Sequence, residues 1–200
     1  MKPAVVSGGT VVERGEALDT QAFATAAALC DAMVAEVRRL REKFPAVAAV
    51  GAGLPGMIDP ERGIVHELSN VPGWNEVPLG DLLRDRCGLP AALDNDANCM
   101  AYAEWRFGAA NSAPNVACIT LGTGVGGGLI LGGRLYRGAF NGAGEIGQTS
   151  IDIHGVPAVY GNLGAVERYV GNRQIAERAQ VRYREAGQEK SLEACSPRAL

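Results

Sequence analysis

Two hundred residues, 47% of them hydrophobic and 20% charged, can bury a sizeable core as one large domain or two small ones. A net charge of −3 gives no reason to expect nucleic acid or a membrane surface as a partner, no secretory signal is legible, and no apolar run reaches about 18 residues. Five scattered cysteines without a Cys-x-x-Cys pair fit a reduced, cytoplasmic protein, with Cys30, Cys99 and Cys118 in apolar runs as buried small hydrophobes.

Residues 4–7 and 10–14 read as two strands joined by a Ser-Gly-Gly turn. Thr20 is expected to cap a helix running to about residue 44. Phe23, Ala27, Cys30, Val34 and Val37 share one face of it. Its end carries Arg38, Arg39, Arg41 and Lys43, which suits a helix C-terminus, and Pro45 stops it. The apolar run 47–53 reads as a buried central strand, followed by a tight Gly53-Leu-Pro-Gly56 loop. A short helix is expected over 79–86, a strand over 91–93, a helix from 96 to about 107 and a strand over 116–121. Residues 129–131 and 134–136 flank Gly132-Gly133 as a second hairpin. After Gly164 the chain reads as helical to about 185, and 191–200 as the start of another helix. Alternating strands and helices make the class α/β. The 27 glycines cluster at 51–56, 122–133 and 138–147, so they mark particular loops. Both ends read as abrupt, which points to a piece of a longer protein.

Three segments carry chemistry. Gly122, Gly124 and Gly127 make a formal GxGxxG, but a strand follows instead of a helix, so the dinucleotide reading fails on context. There is no Gly-Lys-Ser/Thr, and none of the three lysines lies near a glycine loop. That argues against a Walker loop and against the protein-kinase arrangement. What remains is either a plain glycine-rich hairpin or a strand–turn–strand whose backbone N–H groups and Thr123 line an anion. Asp94, Asn95, Asp96 and Asn98 all fall at a helix start, where capping is the bland explanation. Capping does not need four such residues. A helix N-terminus also favours negative charge, and Asp96 is a candidate base toward a hydroxyl. Glu145 is an exposed loop acid or a polyol ligand. Glu167 is a solvated helix face by default, Asn70 a turn former or a sugar contact, and Trp74 core or a stacking surface. His66 and His154 read as structural or surface.

In order along the chain stand Gly53-Leu-Pro-Gly-Met-Ile-Asp59, Asn70-Val-Pro-Gly-Trp74, Asn95-Asp96-Ala-Asn98, Leu121-Gly-Thr-Gly-Val-Gly-Gly-Gly128 and Gly142-Ala-Gly-Glu-Ile-Gly147. This set resembles the ROK family (repressors, open reading frames, sugar kinases), typified by bacterial glucokinases. The resemblance runs from about residue 4 to the end. It implies an α/β, actin-like, hexokinase-type (ribonuclease H-like) fold of two lobes with a cleft, the C-terminal lobe incomplete. Residues 1–110 would be the N-terminal lobe, lacking its first phosphate-loop strand. Residues 111–200 would begin the C-terminal lobe. By similarity Asp96 is the catalytic base. Pro55, Gly56, Asn70, Asn95, Glu145, Gln148 and Glu167 match sugar-site positions, and Gly122, Thr123, Gly124 and Gly126 the second phosphate loop. ATP with Mg²⁺ is the implied cofactor.

Three departures qualify this. Gly8-Gly9-Thr10 superficially resembles the family's first phosphate motif, but its distance to Thr20 better fits the next hairpin turn, so that motif is expected to be missing. The family's structural zinc ligands correspond to Gln148, Ala158, Tyr160 and Ala165, none of them a zinc ligand, so no zinc is expected. Val159, Tyr160 and Leu163 would then pack the loop instead, and Gln148 must replace a histidine that touches sugar. The family also runs to about 300 residues, so much of the adenosine site is expected to be absent from this chain. The expected function is ATP-dependent phosphorylation of a hexose, glucose at its 6-hydroxyl. The alternative is a sugar-responsive transcriptional regulator of the same family or a degenerate sugar-binding module. Sugar and nucleotide are the expected partners, with no nucleic acid and no membrane. The resemblance allows a homodimer.

Overall fold

The computed structural model describes residues 1–68 and 71–197. The chain forms two compact units: Met1–Cys99 with Arg106–Ala109, and Met100–Trp105 with the chain from Ala110 onward.

In the first unit β1 (Ala4–Ser7) and β2 (Thr10–Arg14) form an antiparallel hairpin. Gly8 and Gly9 turn it at φ +58° and +81°, the left-handed pair that a two-residue hairpin turn requires. Helix α1 (Ala26–Lys43) begins six residues later than Thr20. Asp19 caps a single 3₁₀ turn at Thr20–Ala22, and Phe23 then turns extended and packs against the core. Thr25 caps α1 proper, its hydroxyl oxygen accepting the Ala28 N–H at 3.2 Å. Burial of Phe23 thus outweighs helical continuity. The buried face is also wider than expected: Leu29, Met33 and Leu40 join Cys30 and Val34, while Ala27 is exposed.

Strand β3 (Val50–Leu54) starts three residues later than its apolar run. It runs parallel to β7 (Ala91–Asn95), with Gly53 opposite Asp94 and Leu54 opposite Asn95. The crossover between them contains an antiparallel meander not anticipated from sequence: β4 (Ile58–Asp59), β5 (Ile64–Glu67) and β6 (Asn75–Val77). These strands are short and lack clean alternation, which hid them. Helix α2 (Leu79–Cys87) completes the crossover. The basic end of α1 serves α2: Arg38 donates to the Arg86 carbonyl and Arg41 to the Cys87 carbonyl at 2.8 Å. Helix ends leave such carbonyls without intrahelical donors, and cations satisfy them. The core gathers Val34, Val65, Trp74, Leu79, Leu83 and Leu93. Trp74 is therefore core, its Nε1 buried without an acceptor among the described residues. Among the described residues β1 pairs only with β2 and β3 only with β7, and a cavity of ≈ 1120 Å³ is lined by both β1 and β3.

Helix α3 (Asp96–Phe107) follows β7 directly. The second unit holds the antiparallel sheet β10–β9–β8, from β8 (Val116–Leu121), β9 (Val125–Leu131) and β10 (Arg134–Tyr136). A 3₁₀ turn at Ile146–Gln148 packs on β9. The helical stretch after Gly164 is broken into α4 (Glu167–Val170) and α5 (Asn172–Glu185), with Gly171 extended between them. Among the described residues after 190 there is a 3₁₀ turn, Glu193–Cys195, and the rest of the expected helix start, 198–200, lies outside the described residues.

Candidate functional site

Parallel strands converge their C-terminal ends, and the residues just beyond them are the usual place for ligand groups in α/β sheets. The β3–β7 register brings Pro55-Gly56 and Asn95-Asp96 to one such end. Gly56 turns there at φ +99°, and its carbonyl accepts the Asn95 side-chain amide at 3.2 Å. The cap of α3 is Asn95: its Oδ1 accepts the Ala97 N–H at 2.9 Å and the Asn98 N–H at 3.3 Å. Asp96 therefore stands at the first helical position with an exposed side chain, released from the capping task, though one of its oxygens also meets the Ala97 N–H.

Two residues behind this pair carried no functional expectation. Asn98 is 3% exposed, and its Nδ2 donates to Asp94 Oδ1 at 3.1 Å. The same Asp94 oxygen accepts the Asn95 N–H at 2.9 Å. The i, i+4 spacing of Asp94 and Asn98 across the strand–helix junction was the available signal.

In the second unit the turn 122–124 joins β8 to β9. Gly122 donates its N–H to the Gly124 carbonyl at 2.9 Å. The Val125 N–H goes to Glu167 Oε2 at 2.9 Å, and Gly126 lies opposite Thr120 in the ladder. Neither Gly122 nor Gly124 has a left-handed φ, so backbone conformation does not explain these glycines. Close approach explains one of them: a Cβ on Gly124 would fall on the Glu167 carboxylate. Glu167 was expected on a solvated helix face or at the sugar, and here it meets the glycine turn.

Glu145 is exposed just ahead of the 3₁₀ turn that holds Gln148. That turn lies hard against β9: a Cβ on Gly144 would stand 2.7 Å from the Gly127 carbonyl oxygen, and one on Gly147 would overlap the Val125 carbonyl. Asn70 lies outside the described residues. His66 pairs its Nδ1 with Glu76 Oε1 at 2.6 Å, and His154 is exposed in a turn that Asp152 closes.

The loop 148–165 corrects one expectation. Val159, Tyr160 and Leu163 are 77%, 79% and 41% exposed and do not pack it. Hydrogen bonds hold it instead. Asn162 Nδ2 donates to the Gln148 carbonyl at 2.8 Å and to Ser150 Oγ at 3.1 Å. Backbone bridges pair Ser150 with Ala165 and Pro157 with Leu163. Six large apolar side chains from Ile151 to Leu163 stay exposed while these polar and backbone groups are paired. Ala165 is fully buried, Ala158 is used through its backbone, and no three His, Cys, Asp or Glu side chains gather as a metal set among the described residues.

Comparison with known proteins shows the family and the fold. The profile described as the ROK family matches residues 4–199. A glucokinase of Streptomyces coelicolor is 36% identical over 180 residues, which is 88% of this chain and 56% of that protein. The transcriptional repressor Mlc of Escherichia coli is 33% identical over 144 residues, 72% of this chain and 36% of that protein. Among solved structures, a ROK family glucokinase from Streptomyces griseus in complex with glucose and AMPPNP superposes with a TM-score of 0.76 at 36% identity, over 93% of this chain and 58% of that one. The chain thus spans a little over half the length of these glucokinases. The fold is the hexokinase type of the actin-like ATPases, and no helix is long and apolar enough to cross a membrane among the described residues.

Proposed function

Because this chain belongs to the ROK family, we propose that it is a sugar kinase, transferring the γ-phosphoryl group of ATP to a hexose, with glucose and its 6-hydroxyl as the substrate. The observation that carries the reading is the division of labour at α3: Asn95 caps, so the exposed Asp96 carboxylate can take a proton from a hydroxyl. In this reading Glu145, Gln148 and Glu167 hydrogen-bond sugar hydroxyls, and Asn95, Pro55, Gly56 and Asn70 are further sugar-binding residues. The turn carrying Gly122, Thr123, Gly124 and Gly126 meets the nucleotide phosphates in the same reading. Bound Mg²⁺ would neutralise charge on the phosphates. A turn with glycine at 122 and 124 leaves its backbone open to close approach by such a group. The reading carries a cytoplasmic location, no nucleic acid and no membrane, and allows a homodimer.

A second reading is favoured by the similarity to Mlc, a repressor: a sugar-responsive regulator or a binding module without turnover. A coupled assay of ATP with a panel of hexoses decides between them. Phosphorylation of glucose that is lost in Asp96→Asn supports the kinase. Sugar binding without turnover supports the regulator, and turnover at the wild-type rate in Asp96→Asn removes Asp96 as the base.

A further inference from the structure

We infer that Glu167 is a positioning residue for the glycine turn, holding residues 122–125 in place through one carboxylate oxygen while its second oxygen stays available to a sugar hydroxyl. The inference deepens the proposed function, since it rests on reading this turn as the one that meets the nucleotide.

Three contacts from the α4–α5 junction hold the turn. Glu167 Oε2 accepts the Val125 N–H at 2.9 Å, at the first residue of β9. Asn172 donates its N–H to the Gly122 carbonyl at 2.8 Å, at the other end of the turn. Gly171 lies so close to the middle that an added Cβ would stand 3.0 Å from the Thr123 carbonyl oxygen. Two of these belong to the backbone, so only the Glu167 bond is made by a side chain. The carboxylate itself is set by its surroundings. The Val166 N–H bonds the Thr149 carbonyl at 3.0 Å, and Ala165 before it is fully buried and bridged to Ser150. Glu167 therefore leaves a fixed point toward the turn.

Gly124 is the sequence's counterpart to this contact. Its φ is not left-handed, yet any side chain there would overlap the Glu167 carboxylate. Glycine at 124 makes room for Glu167. A charge-assisted bond to a half-buried backbone N–H is stronger than a neutral one, which favours the Glu167 contact among the three. A sugar held by the other oxygen would restrict the same side chain, so sugar recognition and the order of the turn share one residue.

Amide hydrogen exchange on the 200-residue chain reads the contact directly in Glu167→Ala, Glu167→Asp and Glu167→Gln. Loss of a bond to a charged acceptor is expected to raise Val125 exchange ~10-fold or more in Glu167→Ala and Glu167→Asp, with Leu129 and Ile130 unchanged. Glu167→Gln keeps the reach and an acceptor oxygen, and is expected to retain most of the protection. Unchanged Val125 exchange in the Ala and Asp variants overturns the inference. If Glu167→Ala does not fold, the Asp and Gln pair carries the same comparison. Where the wild type turns over, the KM for ATP is expected to rise ~10-fold in Glu167→Asp and to recover in Glu167→Gln. A change confined to the sugar KM assigns Glu167 to the sugar alone and overturns the inference, as does a fall in the ATP KM. If no hexose is phosphorylated by the wild type, the proposed function fails, while Val125 exchange still decides the role of Glu167.

Discussion

Asn95 and Asp96 sit side by side at the start of α3: Asn95 accepts two helix N–H groups, while Asp96 is exposed and meets only the Ala97 N–H that Asn95 also takes. Replacing Asn95 by Ala removes the cap and the bond to Gly56. A loss of about 1 kcal/mol is expected from the cap alone, read as a lower midpoint in urea. Asp96→Asn is expected to stay within about 0.5 kcal/mol of wild type in the same experiment, since the side chain is exposed and an amide oxygen can also meet the Ala97 N–H. Its turnover is expected to fall by about 10²–10⁴. A different residue contributes to the acid limb of stability. Glu36 is 7% exposed on α1 and takes both a bidentate pair from Arg39 and the Glu16 N–H. The Arg39 guanidinium bonded to it holds its carboxyl below the usual carboxylate range, despite the opposing effect of burial. A carboxylate lowered on folding stabilises the protein fully above its unfolded value of about 4.3, and that contribution is lost as pH falls through the folded value. Glu36→Gln is therefore expected to flatten the stability profile below about pH 4.3, measured as urea midpoints against pH.

The element that departs furthest from its sequence reading is the loop 148–165. Its glycine frame was legible, but the residue that holds it was not. Asn162 ties the Gln148 carbonyl to Ser150, while the apolar side chains around it face solvent. An asparagine between glycines reads as a turn former, and nothing in its neighbours shows that it spans the loop. Asn162→Ala should remove two hydrogen bonds and cost about 1–3 kcal/mol, measured by thermal unfolding. Gly164→Ala should cost at least as much, because φ there is +68° and a Cβ would overlap the Asp152 carbonyl. A chelator such as EDTA is expected to leave the melting temperature unchanged, and stoichiometric zinc in metal analysis would contradict the hydrogen-bonded account of this loop.

At the scale of the whole molecule, apolar burial is uneven. The contiguous core of Val34, Val65, Leu79, Leu83 and Leu93 belongs to the first unit. The second unit buries far fewer large side chains, chiefly Val125 and Ile130, and exposes Phe140, Ile151, Ile153 and Tyr160. Regions with few buried apolar contacts open at lower free energy. Limited proteolysis is therefore expected to cut within 150–163 before any site in α2 or β7, and exchange protection to be highest at Leu83 and Leu93. Burial also raises the thiols of Cys30, Cys87 and Cys118, which makes them poor nucleophiles at neutral pH.

The sequence by itself determined the alternation of strands and helices, the two glycine hairpins, the placement of Asp96 at the head of a helix, and the family. These follow from local periodicity, turn chemistry and an ordered set of motifs, all of which are written in neighbouring residues. Only the tertiary structure decided which of four polar side chains caps α3, that Phe23 interrupts the entry to α1, that Asn162 holds the loop 148–165, and that Glu167 meets the turn 42 residues before it. Each of those is a contact between residues far apart in the chain or a choice among equivalent local candidates. Local propensity ranks such candidates equally, and packing and hydrogen-bond satisfaction choose between them.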